Sequence, residues 1–371
     1  MHLAGLWLTD FRCYEEATLR FPPGVTVICG ANAQGKTSLL EAVGWAATGK
    51  SFRGVPDSAL VRAGHDAAIL RAEVVDDERT QLLEAEIRAS GRNRVQLNRN
   101  PVQRSRDLLG LMRVTVFAPD DLQLVKGGPA GRRDYLDDLL VALSPRYEAA
   151  RADYERVLKQ RNALLRGGLR GDDAVGTLDV FDLQLAAAGA ELARGRVRLL
   201  ERLVPAVAEA YADLAGMRTP ITTVYEADWA PTGPGGDLDP DGFDQALLDA
   251  FASHRAAEVD RGLTLVGPHR DEWRLLVGNM ESRTHASQGE QRTLALALRL
   301  GGHRLCGELT DTSPVLLLDD VFSELDDQRA VALVAHLDSG QTLVTTAGSV
   351  PTGISADRIL RVDAGRIEEA A

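Results

Sequence analysis

Gly30-Ala31-Asn32-Ala33-Gln34-Gly35-Lys36-Thr37, followed by Ser38, is the stretch that decides how this chain folds. It meets the pattern G-x-x-x-x-G-K-[ST] in full, in a sequence with only four lysines. Val25-Thr26-Val27-Ile28-Cys29 leads into it, a continuous apolar run suited to a strand buried on both faces, and Ser38 to Ala47 reads as a helix. Strand, glycine-bounded loop and helix are the context the pattern requires. The glycines let backbone N–H groups approach phosphate oxygens, and the helix N-terminus adds partial positive charge. Lys36 is expected to reach the β- and γ-phosphates, and the Thr37 hydroxyl to ligate Mg²⁺, which makes ATP with Mg²⁺ the expected cofactor.

The acidic partner of such a loop stands far away. Val315-Leu316-Leu317-Leu318-Asp319-Asp320 reads as a buried parallel strand ending in two carboxylates. Asp319 is expected to hold the metal at the strand's C-terminal end, and Asp320 to orient or deprotonate the attacking water. Ser287-Gln288-Gly289-Glu290-Gln291-Arg292 precedes a helix carrying Leu294, Leu296, Leu298 and Leu300. Ser287 and Glu290 have the spacing of a capping box. A helix N-terminus with an exposed hydroxyl and a glycine backbone is also a phosphate site, and its position 32 residues before Asp319 favours that use. The catalytic candidates are therefore Asp320, Lys36 and Ser287. One nucleotide fold has been opened, and about 250 residues of something else have been inserted into it.

The bulk composition sets limits on the rest. A chain of 371 residues exceeds a single core, so two domains or one large insertion are expected. Cys13, Cys29 and Cys306 are scattered without C-x-x-C spacing, which fits a reduced cytoplasm and argues against disulfides or zinc. The sequence shows no signal peptide and no run of 18 apolar residues, so a cytoplasmic protein with no membrane partner is expected. The net charge of −12 weighs against a general polyanion binder. Yet the stretch from Arg88 through Arg92, Arg94, Arg99 and Arg104 to Arg106 holds six arginines and no acid. It is either a solvated hairpin surface or a local nucleic-acid contact.

The pattern along the chain gives an α/β fold. Leu6, Leu8 and Phe11, then Ala17, Leu19 and Phe21, mark two strands, and 68–75, 82–89 and 95–97 read as more, together an antiparallel lobe beside the nucleotide core. From about 130 to 216 the period is helical. Tyr147, Ala150, Tyr154, Val157 and Leu164 share one face, interrupted by Arg161, and Phe181, Leu185, Ala188, Leu192, Leu199 and Leu203 share another. A turn at Gly167–Asp173 separates two helices of roughly 25 to 35 residues, an arm about 35–50 Å long. A helical hairpin is the natural reading and a buried bundle the alternative. Ala230 to Asp241 reads as a loop, and after one short helix Leu263-Thr264-Leu265-Val266 is expected to return the chain to the sheet. The expected domains are 1–115 with 262–371 as a split ATPase head, and 116–261 as a helical arm.

Ser287 to Arg292 resembles the signature segment of the ABC-type ATPase superfamily, in which the signature of one subunit contacts the γ-phosphate held by another. Ser323-Glu324-Leu325-Asp326 looks like the segment that crosses such an interface. Transporter ATPases carry their loop and signature roughly a hundred residues apart and a switch histidine after the next strand. Here the separation is 257 residues, and Thr342-Leu343-Val344 ends in Thr345-Thr346. The long helical insert instead resembles the SMC-like branch. Within it, several blocks are similar to the RecF family of bacterial recombinational repair: Asp10-Phe11-Arg12-Cys13-Tyr14, Gly49-Lys50-Ser51-Phe52-Arg53, Phe117 to Leu122 with Leu124 to Gly127 and Arg132-Arg133, and Gly267-Pro268-His269-Arg270-Asp271.

This resemblance implies an ATP-dependent homodimer that acts as a slow, DNA-stimulated ATPase. It implies binding to single-stranded gaps and duplex DNA, work with RecR and RecO in loading RecA, and a part in SOS induction. A scaffold in which hydrolysis is incidental is the alternative. It implies nucleotide contacts from Gly30, Ala31, Asn32, Ala33, Gln34, Gly35, Lys36, Thr37, Ser38, Arg12, Ser287, Gly289, Gln291 and Asp326, with Thr37 and Asp319 on the metal. Three small departures stand out. Ala33 sits where many such loops have glycine, which is harmless if its φ is negative. Asp120 and Asp320 each occupy positions often held by glutamate, and the latter fits slow hydrolysis. His269 is expected near phosphate or hydrogen-bonded to Asp271; Trp7, Trp45 and Trp273 are expected in the core, and Tyr147 and Tyr154 packing the arm.

Overall fold

Alternating burial along the first strands builds a six-stranded antiparallel sheet. In the computed structural model, which describes residues 1–370 except 77–78, 103–107, 109, 168–171, 234–237 and 338–339, β1 (His2–Phe11) turns into β2 (Tyr14–Arg20). β3 (Val25–Cys29), buried at every position, and α1 (Lys36–Thr48) follow. β4 (Ala67–Asp76), β5 (Arg79–Arg88), β6 (Arg94–Leu97) and β7 (Asn100–Pro101) complete the antiparallel lobe in the order β2-β1-β4-β5-β6-β7. β8 (Val114–Phe117) then joins the nucleotide sheet.

The chain continues through α2 (Leu122–Lys126), α3 (Pro129–Leu143), α4 (Arg146–Gly167) and α5 (Asp172–Ala215). β9 (Ile221–Glu226), α6 (Phe243–Arg261), β10 (Glu272–Val277), β11 (Met280–Glu281), α7 (Ser282–His285) and α8 (Gln288–Thr310) come next. β12 (Val315–Asp319), α9 (Asp327–Val334), β13 (Thr342–Thr346), β14 (Arg358–Asp363) and β15 (Arg366–Glu369) end it. The nucleotide sheet has the order β15-β14-β3-β13-β12-β8, parallel except for β15.

By compactness the chain forms one unit of Met1–Asp121, Glu209–Arg218 and Ala295–Ala371, and a second of Leu122–Ala208 and Thr219–Leu294. Residues 262–294, expected with the head, group with the second unit.

In the first unit, α1 lies between the antiparallel lobe and the nucleotide sheet. Leu39, Leu40, Ala42, Val43, Trp45 and Ala46 are all 1% exposed or less and share one core with Leu6 and Leu8 of β1, Leu70 and Ala72 of β4, and Leu317 and Leu343 of the other sheet. A helix covered on both sides is apolar around its circumference, which is why this stretch lacks a polar face. Gln341, 3% exposed, ties the sheets together: its amide donates to the Leu3 carbonyl at 2.8 Å and its oxygen accepts the Leu3 N–H at 2.7 Å.

The second unit is a packed domain: of the two readings, helical hairpin and buried bundle, it takes the bundle. Tyr154 and Val157 of α4, Leu185, Ala186 and Ala190 of α5, and Phe243, Leu247 and Phe251 of α6 form one core. The helices are 22 and 44 residues long, not 25 to 35 each; of the turn expected between them, 168–171 lie outside the described residues. Arg161, which interrupts the apolar stripe, is completely buried. It donates to Asp182 and Glu258 at 2.6 Å each and to Thr264 at 2.8 Å, so the bundle has a fully answered ionic centre.

Leu263–Val266 is not a strand. The Thr264 N–H goes to the Asn162 side chain and the Leu265 N–H to Glu258, both at 2.7 Å, so side chains satisfy a backbone that a sheet was expected to satisfy. The strand that follows, β10, lies between β9 and β11 in a separate antiparallel sheet. Tyr147 and Tyr154 pack the bundle as expected, and Trp45 and Trp273 are core, whereas Trp7 is half-buried under the Arg20 guanidinium at 4.7 Å.

Candidate nucleotide site

Three parallel strands end side by side. Asp319 of β12 is in register with Thr345 of β13, and Thr346 with Cys29 of β3, so the loop after β3 and the acids after β12 share one carboxyl edge. This is where open α/β sheets place their ligands. The loop needs glycine at both ends. A Cβ on Gly30 would stand 2.3 Å from the Val362 carbonyl oxygen. One on Gly35, whose φ is +115°, would stand 2.6 Å from Cys13 Sγ and 2.8 Å from the Tyr14 hydroxyl. The β1–β2 turn is therefore pressed against the loop, and Tyr14 fixes it by donating to the Gly35 carbonyl at 3.0 Å.

Lys36 is 6% exposed, and its ammonium donates to the carbonyls of Gly30 and Ala31 at 2.7 and 2.8 Å. The cation is thus held inside the loop's curve. Gln34 is clamped from the β14–β15 turn, whose Ala364 N–H donates to its side-chain oxygen at 2.6 Å. Ala31, Asn32 and Ala33 are exposed, while Thr37 and Ser38 are half-buried at the start of α1. Ala33 has φ +64°, not the negative value that would make its methyl group harmless; its neighbours impose the left-handed turn that glycine fills in other loops of this type.

The Thr37 hydroxyl donates to Asp319 Oδ1 at 2.8 Å. Burial pushes the Asp319 carboxyl above the usual carboxylate range, the hydrogen bonds from Thr37 and Thr345 pull it back, and the neighbouring Asp320 raises it again. Asp320 has φ +52°, and its Oδ1 is buried with no hydrogen-bond partner among the described residues. A hydroxyl, a carboxylate and an orphaned carboxylate oxygen at one strand edge are hard oxygen donors of the kind Mg²⁺ takes together with phosphate. The residues present fit that ion: Thr37 and Asp319 would hold it, and it would supply charge neutralisation at the phosphates.

Arg12, expected near the nucleotide, makes a two-point contact with Glu41 of α1, Nε and Nη2 each 2.8 Å from a carboxylate oxygen. Glu41 is fully buried and also accepts from Ser51 at 2.5 Å, which accounts for the Gly49–Arg53 block as the brace behind the loop's helix.

The segment that resembles the signature caps α8. The Glu290 N–H donates to Ser287 Oγ at 3.3 Å and the Ser287 N–H to the Glu290 carboxylate at 2.8 Å, the reciprocal pair of a capping box. The Ser287 hydroxyl first, and then its N–H, hold the Glu290 carboxyl below its ordinary range. Ser287 remains exposed, and the Gly289 carbonyl accepts from Thr293 at 2.8 Å. Gln291 faces inward: it is 5% exposed, and its amide donates to the carbonyls of Ser282 and Arg283 at 2.9 and 3.2 Å. Asp326 caps α9 by accepting the Arg329 N–H at 2.9 Å and pairs with the Arg329 side chain.

Two further expectations change. His269 meets Tyr154 at 2.7 Å, not Asp271, whose carboxylate takes the Tyr225 hydroxyl at 2.6 Å and the Trp229 N–H at 2.8 Å. Asp120 is exposed, and its neighbour Asp121 is the engaged acid, accepting both Nε and Nη2 of Arg299 at 2.9 and 2.7 Å.

The arginine surface carries a counter-charge that the acid-free count missed. Glu86, inside β5, binds Arg88 at 2.6 Å and lies 3.6 Å from Arg94, its register partner on β6. Arg92 and Arg99 are exposed, and Arg104 and Arg106 lie outside the described residues. Thr345 is the site residue that sequence reading missed, because only the strand register brings it to Asp319.

The family model of the RecF/RecN/SMC N terminal domain matches residues 2–366. A protein of Frankia alni described as DNA replication and repair protein RecF is 45% identical over 383 aligned residues, spanning 100% of both chains. The chain belongs to the RecF family. A RecF of Streptomyces avermitilis is 44% identical over 378 residues, covering 99% of this chain and 100% of its own. A solved RecF, described as a recombination mediator protein with ATP in the RecFOR pathway, matches with TM-score 0.90 at 29% identity over 100% of this chain and 98% of that one. An SMC head bound to the C-winged helix domain of ScpA, at TM-score 0.60 and 18% identity, shares the fold. Among the described residues, no helix is long and apolar enough to cross a membrane.

Proposed function

We propose that this RecF-family chain is an ATP-dependent DNA-binding protein of recombinational repair and replication restart. ATP with Mg²⁺ binds at Gly30–Thr37 with Asp319, and two copies close on two nucleotides, Ser287 of each meeting the γ-phosphate held by the other. Gly289 and Asp326 line that interface, whereas Gln291 braces the Ser287 segment from inside, and hydrolysis directed by Asp320 reopens it. The observation that carries this reading is the convergence of Lys36, Thr37 and Asp319 at one sheet edge, in a chain whose Ser287 also stands exposed at a helix N-terminus. The relatives' description as DNA replication and repair proteins supports the DNA role, and the solved RecF with ATP supports the nucleotide. The closed dimer binds single-stranded gaps and duplex DNA through Arg92, Arg94 and Arg99, works with RecR and RecO to load RecA in the cytoplasm, and turns ATP over slowly. The unit of Met1–Asp121, Glu209–Arg218 and Ala295–Ala371 acts as the ATPase head, and that of Leu122–Ala208 and Thr219–Leu294 as the helical domain.

Light scattering with and without ATP and Mg²⁺ tests this. The mass is expected to move from 40.0 kDa to twice that only with nucleotide. Ser287→Arg is expected to keep ATP binding while remaining a monomer; loss of both would make Ser287 a structural cap alone. If Asp320→Asn leaves repair in cells unchanged, the ATP-gated scaffold replaces the hydrolysing clamp.

A further inference from the structure

Thr345 is fully buried and spends its hydroxyl entirely on the two acids of the site. A hydroxyl has one proton to give and lone pairs to receive. The proton goes to Asp319 Oδ1 at 2.8 Å, and a lone pair takes the Asp320 N–H at 2.9 Å. The other acceptor within reach, the Leu318 carbonyl, is at 3.4 Å and loses to the nearer, charged carboxylate. Asp319 Oδ1 is thus held from the strand side by Thr345 and from the loop side by Thr37. Asp320 sits at φ +52°, a conformation that persists only where the surroundings impose it, and the hydrogen bond from its N–H to Thr345 is such a constraint. That constraint aims a carboxylate whose Oδ1 is buried without a partner among the described residues.

We propose that Thr345, through its hydroxyl, positions the Asp319 carboxylate and the Asp320 peptide for hydrolysis, and so governs turnover more than nucleotide binding. Thr345 is a positioning residue: it acts on the reaction only through the two acids. The inference rests on the nucleotide reading above, and its test is chosen so that the two can fail separately.

The variants are Thr345→Val, which keeps the shape and loses the hydroxyl, and Thr345→Ser, which keeps the hydroxyl. Thr345→Ala replaces the valine variant if that one does not fold. On the full chain without nucleotide, hydrogen exchange at the Asp320 amide is expected to speed up at least tenfold in Thr345→Val and to stay near wild type in Thr345→Ser. In DNA-stimulated hydrolysis, Thr345→Val is expected to lose at least tenfold in kcat with KM for ATP within about threefold, and Thr345→Ser to retain kcat within about threefold. Unchanged exchange and kcat in Thr345→Val would overturn the proposal. So would equal losses in both variants, since these would trace the effect to packing of the methyl group. If wild type neither binds nor hydrolyses ATP, the nucleotide reading fails, while amide exchange still decides whether Thr345 holds Asp320.

Discussion

Thr37 donates to Asp319 across 2.8 Å, and the two residues are 282 positions apart in the chain. The pair unites the loop of one chain end with the acid of the other, so the fold itself brings a hydroxyl and a carboxylate together. That preorganisation would lower the cost of building the proposed Mg²⁺ site, because the oxygens do not have to be gathered. Thr37→Val removes one oxygen without changing shape. The Mg²⁺ concentration needed for half-maximal ATP binding is expected to rise about tenfold, roughly 1.4 kcal/mol. Fluorescent-nucleotide titrations at several Mg²⁺ concentrations measure it; an unchanged Mg²⁺ requirement would remove Thr37 from the site.

Ala33 carries a methyl group at φ +64°. Left-handed backbone costs an ordinary L-residue about 1–2 kcal/mol, while glycine loses about 0.5–1 kcal/mol more conformational freedom on folding. Ala33→Gly is therefore expected to stabilise the chain by about 0.5 kcal/mol, with ATP affinity unchanged because the methyl group is exposed. Urea unfolding of the two proteins decides it, and a clear destabilisation would show that the methyl group makes a contact worth more than the strain.

Glu86 restrains the arginine surface by pairing with Arg88 and facing Arg94. If that surface meets DNA phosphates, Glu86→Gln frees two cations and removes a repelling charge. DNA affinity at low salt should rise, and the slope of log K against log salt should steepen by about 1 for each cation newly placed on a phosphate. Arg92→Ala and Arg99→Ala should each make the slope shallower by about 1. Anisotropy titrations across a salt series read both. Slopes unmoved by all three variants would put the DNA elsewhere.

What the sequence could and could not disclose follows from how local each interaction is. β3, its loop and α1 were legible because a fully buried strand is a continuous apolar run and the phosphate loop needs glycine at fixed positions. The capping box of Ser287 and Glu290 was legible because its partners are three residues apart. Leu263–Val266 has a strand's composition, but Asn162, about a hundred residues away, takes one of its backbone donors, and composition cannot report that. Arg161 looked like a break in an apolar face for the same reason: its answering acids, Asp182 and Glu258, lie 21 and 97 positions away. Thr345 carries no local mark of its role, because only strand register brings it to Asp319. Glu86 lies two residues before the acid-free stretch that begins at Arg88, yet register places it opposite Arg94.

Acid should weaken the fold through two buried histidines. Burial lowers the pKa of His303, beside Thr115, and of His269, beside Tyr154, to about 4 each, with neighbouring arginines adding to the shift. Both are neutral in the folded chain, whereas an unfolded histidine titrates near 6.5. Between pH 6.5 and 4 the unfolded chain therefore binds protons that the fold excludes, so the contribution is complete above pH 6.5 and is lost as pH falls toward 4. Asp271, raised by burial, acts with the opposite sign as pH falls into the carboxylate range. From pH 7.5 to pH 5 each histidine is expected to withdraw up to about 2 kcal/mol. The comparison is urea unfolding at the two pH values for wild type and for His269→Gln/His303→Gln. The double variant should lose clearly less stability on acidification, even if it starts lower at pH 7.5. Equal losses would mean that carboxylates, not these histidines, set the acid limit.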